Sequence, residues 1–138
     1  MSEMTGGLHS VRWDLPHDPA VAGKLRGMVG DAVEGWGMRW VRDDVVSVVG
    51  ELVANAFTHG EGPVRVSLWV DGERLWVGVT DHGAGRPRRL RLDVEAVHGR
   101  GMAIVAALAD EAGVAPLADS PGKAVWACWR LKDGAASR

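Results

Sequence analysis

Three short segments, in fixed order, constrain this chain more than anything else in it. Glu51-Leu52-Val53-Ala54-Asn55-Ala56 reads as a helix carrying a carboxylate and an amide four residues apart. Asp81-His82-Gly83-Ala84-Gly85 closes a run of alternating hydrophobicity. Gly99-Arg100-Gly101 leads straight into a helix-like stretch. Each segment is weak alone. Together they describe an acid–amide helix, a strand ending in Asp-x-Gly-x-Gly, and a Gly-x-Gly that opens a second helix.

The rest of the chain supplies a frame for them. Ser10–Leu15 reads as a short strand. Asp18 followed by Pro19 is a helix start, with Asp as N-cap and Pro at the first position. Val21, Leu25, Met28, Val29, Ala32 and Trp36 then recur at helical spacing, and Gly35 or Gly37 ends the run. A second helix is expected over residues 43–58, with Asp43 and Asp44 in its first turn and Gly60 at its C-cap. Residues 63–70 alternate, with Val64, Val66, Leu68 and Val70 on one face and Arg65, Ser67 and Trp69 on the other. Asp71-Gly72 is a hairpin turn, and Leu75, Val77 and Val79 continue the inner face on the next strand. By the same period Asp81 points inward. Residues 102–111 read as a helix, and 113–117 with 123–131 as a second hairpin. The order β-α-α-β-β-α-β-β predicts an α+β two-layer sandwich, a mixed and mostly antiparallel sheet with helices on one face.

Composition limits the alternatives. A chain of 138 residues, 46% hydrophobic and 25% charged, suits one domain able to bury its own core. Residues 1–9 and 132–138 read as tails around a domain at 10–131. A net charge of −2 gives no field for nucleic acid or a membrane surface. The longest apolar run, residues 103–109, is too short to span a bilayer. Residues 1–15 lack the pattern of a signal peptide, and the one cysteine, Cys128, has no internal partner. A reducing cytoplasm is the expectation. Cys128 reads as a buried structural thiol.

The candidate site residues have distinct chemistries. Asn55 offers an uncharged oxygen of the kind Mg²⁺ accepts. Glu51 offers a carboxylate able to orient or deprotonate a hydroxyl. His59 extends the stripe by one turn, which opens a transition-metal reading that no second His or Cys cluster supports. Asp81 can accept a hydrogen bond from an adenine amino group, while Gly83 and Gly85 let backbone approach a flat ring. Gly99 and Gly101 precede helix amides suited to phosphate oxygens. No P-loop sequence is present. Four arginines within residues 86–91 read either as a phosphate grip, as a site for an acidic partner, or as solvated charge. Trp69, Trp76 and Trp126 fall on the outward sheet face, where either an interface or cross-strand packing would cover them.

These segments together resemble the GHKL superfamily of Bergerat-fold ATP-binding domains. Glu51–Asn55 is similar to its N box, Asp81-x-Gly83-x-Gly85 to its first glycine box, and Gly99-Arg100-Gly101-Met102 to its second. Trp13-Asp14-Leu15-Pro16, His59-Gly60, Gly85-Arg86-Pro87 and Pro121-Gly122-Lys123-Ala124-Val125-Trp126 look like the bacterial anti-sigma-factor serine/threonine kinases of actinobacterial type. The 13 Arg against 3 Lys fit a GC-rich genome of that kind. The resemblance implies ATP and Mg²⁺ as cofactors, with Asn55 as the metal ligand. It implies Asp81 as the adenine reader and Gly83, Gly85, Gly99, Arg100, Gly101 and Met102 as nucleotide contacts. Glu51 would be the catalytic base toward a serine hydroxyl. It further implies a cytoplasmic homodimer that binds an anti-anti-sigma protein and a sigma factor in alternation, with no direct contact to nucleic acid or membrane. Two departures stand out. Lys123 and Ala124 occupy the place where the superfamily often has a threonine beside adenine, and the stretch from Gly85 to Gly99 is short.

Overall fold

The computed structural model describes residues 2–5, 9–83, 99–118 and 121–131. Its strands are β1 (Ser2–Thr5), β2 (Ser10–Leu15), β3 (Val64–Asp71), β4 (Arg74–Asp81), β5 (Glu111–Pro116) and β6 (Lys123–Arg130). Its α-helices are α1 (Ala22–Gly35), α2 (Arg42–His59) and α3 (Gly99–Leu108). The expectations for Gly85, the arginine-rich stretch 86–91 and the tail 132–138 fall outside the described residues.

The strands form one sheet in the order β1-β2-β3-β4-β6-β5, and every pairing is antiparallel. The expected two-layer α+β sandwich with a mostly antiparallel sheet is what forms, and among the described strands no parallel pair occurs. β6 returns between β4 and β5, so the helix-bearing connection from β4 skips one place. That topology sets Asp81, the last residue of β4, opposite Lys123, the first of β6.

Burial follows the period of two. Val64, Val66 and Leu68 of β3 and Leu75, Val77 and Val79 of β4 are buried under the helices. α2 is the central helix and packs on α1, α3, β3 and β4. It carries five valines, which are only moderate helix formers. Its stability comes from the buried stripe of Val45, Val48, Val49, Leu52, Val53 and Ala56, since tertiary packing outweighs propensity.

Several boundaries differ from expectation for local physical reasons. Asp18 caps as expected, its Oδ1 accepting from the Ala20 N–H at 3.0 Å, but the first turn is 3₁₀ and the α-helix begins at Ala22. Gly37 stops α1 with φ +83, while the Met38 N–H reaches the Val33 carbonyl at 3.0 Å and the Gly37 N–H that of Glu34 at 2.9 Å. The first hairpin turns on Gly72-Glu73, one residue later than expected, because Asp71 pairs with Arg74 and Gly72 supplies the positive φ. Ser2–Thr5 is an edge strand, where a tail was expected. Its pairing with β2 is fastened by the buried Trp13 indole, whose Nε1–H donates to Glu3 Oε1 at 2.9 Å. α3 begins at the glycines and ends at Leu108, so the expected 102–111 span is shifted toward the N-terminus. β5 already starts at Glu111, because the Asp110 N–H bonds the Cys128 carbonyl at 2.9 Å and draws the chain onto β6.

Candidate functional site

Among the described residues Asp81 is the one buried charged side chain, 2% exposed. A carboxylate removed from water in this way needs partners for its charge. The Gly83 N–H donates to Oδ1 at 2.9 Å and the Lys123 ammonium to Oδ2 at 2.9 Å. The Lys123 side chain is itself only 14% exposed. The sequence places Lys123 or Ala124 near the site, and the register decides between them. Lys123 shares the inner face with Val125 and Asp81, whereas Ala124 lies on the outer face with Trp126.

Two further glycines allow close packing at this residue, Gly60 against its carboxyl group and Gly122 against its backbone. A Cβ on Gly60 would lie 2.5 Å from Asp81 Cγ and 2.7 Å from the Ala56 carbonyl oxygen. Gly60 caps α2 as expected, but in an extended conformation, φ −103 and ψ −175. Glycine is needed there for space, not for a left-handed turn. Gly122 has φ +123, and a Cβ there would collide with the Asp81 carbonyl oxygen. The end of α2, the residues after β4 and the entry to β6 therefore close on one residue, Asp81.

The loop after α2 is tied down twice. The His82 N–H donates to the Glu61 carbonyl at 3.0 Å. The His17 ring spans the carbonyls of Phe57 and Gly62, 2.9 Å to each, and meets the Phe57 ring edge-on. Sequence reasoning missed His17, Gly122 and the spatial role of Gly60. The only signals were the Gly-Lys step opening the last strand and the glycine directly after a helix.

Glu51 and Asn55 occupy successive turns of α2 and are both half-buried. Asn55 lies about 7.5 Å along the helix axis from Gly60, at 1.5 Å per residue. Its Nδ2 is buried with no hydrogen-bond partner among the described residues. A buried amide left unsatisfied is costly. His59 is exposed in the last turn of α2. Among the described residues no group of three or more His, Cys, Asp or Glu is gathered to hold a metal.

α3 packs against α2, which brings its first turn, Gly99-Arg100-Gly101-Met102, to the same side of the sheet. The leading N–H groups of a helix have no carbonyl partner within it. Met102 is half-buried and packs on the core. Cys128 lies away from this site, on the outer face of β6. Burial pushes its thiol above the ordinary range, which suppresses the thiolate and fits the inert role expected of it. No helix among the described residues is long and apolar enough to cross a membrane.

The sequence profile of the histidine kinase-like ATPase domain family matches residues 15–129. That span runs from the end of β2 nearly to the end of β6 and includes the whole Asp81 cluster. No curated protein matches the chain.

Proposed function

The chain belongs to the histidine kinase-like ATPase domain family, and on that premise we propose that it is an ATP- and Mg²⁺-dependent serine/threonine kinase of the anti-sigma-factor type, regulating transcription by partner switching. The observation that carries the reading is Asp81: a buried carboxylate at the end of an inner strand, cleared by glycines, beside the helix that bears Glu51 and Asn55.

Each residue then has a task suited to its place. Asp81 accepts from the exocyclic amino group of adenine. The free amides of the first turn of α3, Gly99 to Met102, face phosphate oxygens. Asn55 holds Mg²⁺ through Oδ1, and its unpartnered Nδ2 leaves the amide free to turn toward a ligand. Mg²⁺ held by Asn55 would offset the negative charge of the phosphates. Glu51 takes the proton of the acceptor hydroxyl as the new oxygen–phosphorus bond forms and the bond to the ADP oxygen breaks. The acceptor is a serine or threonine of an anti-anti-sigma protein, with a sigma factor held in alternation. The reading includes a homodimer, with the tryptophan-bearing outer sheet face as its candidate surface.

A second reading is a non-catalytic nucleotide- or protein-binding module of the same fold. It is favoured by one fact: both Asp81 oxygens already have protein partners. Transfer of labelled γ-phosphate to a candidate partner separates the two. Glu51→Gln should cut transfer at least a hundredfold and leave ATP affinity within about twofold, as expected for a group used only in the chemical step. Equal loss of binding and transfer would remove Glu51 from the role of base.

A further inference from the structure

Lys123 has a use beyond balancing the charge of Asp81. Its ammonium carries three N–H donors. Among the described residues its partner is Asp81 Oδ2, which takes one of them. Each carboxylate oxygen of Asp81 can accept two hydrogen bonds, and each has one, from Gly83 and from Lys123. Among the described residues the pair therefore presents an unspent donor beside an unspent acceptor, with nitrogen and oxygen 2.9 Å apart. Both belong to opposed residues of adjacent strands, so the sheet register sets their two backbones side by side.

A donor next to an acceptor is the complement of an adenine edge. Adenine carries its amino N–H beside a ring nitrogen acceptor, whereas guanine shows an oxygen where adenine has the amino group. We propose that Lys123 is a specificity-determining residue of the base site: Asp81 accepts from the adenine amino group while Lys123 donates to the adjoining ring nitrogen. The inference rests on the reading of Asp81 as the base acceptor given above. Guanine in the same seat would set its oxygen against a carboxylate. A bidentate contact of this type separates right from wrong base by roughly tenfold or more.

The lysine also explains why a buried ion pair is kept here at all. A buried pair seldom stabilises a fold more than apolar residues of the same size would. A pair that also reads a ligand has a reason to be retained.

The test titrates the intact chain, with Mg²⁺, against ATP, GTP, 1-deaza-ATP and 7-deaza-ATP, by calorimetry. One deaza analogue, lacking the nitrogen that Lys123 meets, should bind about tenfold more weakly than ATP, and GTP more weakly still. In Lys123→Met that deaza penalty should vanish and ATP should bind about tenfold more weakly. Lys123→Arg, which keeps a donor and the charge, should retain a preference for ATP. The analogue series on the unaltered chain needs no substitution to fold, so it decides the question alone. If ATP binds but both deaza analogues bind as tightly as ATP, no ring nitrogen is read and the inference falls, leaving the functional reading intact. If ATP itself does not bind, the functional reading falls, and this inference with it.

Discussion

The inner and outer faces of the sheet carry polar groups in opposite states. On the inner face, Asp81 is buried with a partner on each oxygen. On the outer face, Trp76 Nε1 is buried with none among the described residues. Trp69 stacks on Trp76, centroids 6.0 Å apart and planes within 5°, and Trp126 leans on Trp76 at 5.6 Å and 52°. This is the cross-strand packing that the directly opposed register of Trp69 and Trp76 allows. Glycines serve both faces, but for different neighbours. Gly60 and Gly83 clear space around a carboxylate. Gly113, whose Cβ would sit 2.6 Å from the Trp126 ring, seats an indole. The difference teaches that one set of strands does two jobs. The face under the helices holds a paired carboxylate, and the other stacks indoles across strands.

Substitutions that add one methyl group to each face should break this comparison most sharply. Gly60→Ala and Gly113→Ala both overfill a tight site, and each should cost about 1–3 kcal/mol in thermal or denaturant unfolding. Only Gly60→Ala should also weaken ATP binding, by at least about tenfold, because its methyl displaces Asp81. An equal loss of ATP affinity in Gly113→Ala would mean that the faces are not independent.

Trp76→Phe probes the unpaired indole. It removes an unsatisfied buried donor, worth about 1–3 kcal/mol when exposed to no partner, and also loses ring area. The two effects should nearly cancel, leaving stability within about 1 kcal/mol in urea unfolding. A loss well above 2 kcal/mol would show that Nε1 makes a strong bond in solution.

The smallest effect concerns Cys128. Burial raises its thiol in the folded state. A raised acid favours the folded form while neutral, so its contribution is full below the ordinary thiol range and is lost as pH rises through the native value. Cys128→Ala should therefore flatten the alkaline decline in melting temperature. Native Cys128 should also resist thiol reagents that label it readily in urea. Prompt labelling of the folded chain would contradict the burial.

Much of this was legible in the sequence because it depends on local period. The alternation through Val64 and Leu75 placed Asp81 inward, and the acidic first turn at Asp43 and Asp44 with the Gly60 stop set α2, on which Glu51 and Asn55 lie four residues apart. What was not legible depends on pairings far apart in the chain. Ser2–Thr5 has no alternation to reveal a strand, and pairing with β2 creates it. The Gly-x-Gly before Met102 has poor helix propensity, yet the helix begins there because α3 is packed on α2. The Asp81–Lys123 pair joins residues 42 apart. It becomes visible only once β6 is known to lie beside β4 and not beside β5 alone. Gly60 was visible as a stop signal, but its real neighbour, Asp81, is a matter of tertiary packing.

The central claim is that Asp81 lies at the floor of an adenine-nucleotide site. It is tested most directly by titrating the intact chain and its Asp81→Asn variant with ATP, with and without Mg²⁺. Calorimetry would be paired with tryptophan fluorescence, and near-ultraviolet circular dichroism would confirm that the variant is folded. The account predicts saturable, Mg²⁺-strengthened binding by the intact chain and a loss of at least about tenfold in the folded variant. Equal binding by the two, or no saturable binding by the intact chain at millimolar ATP, would contradict it.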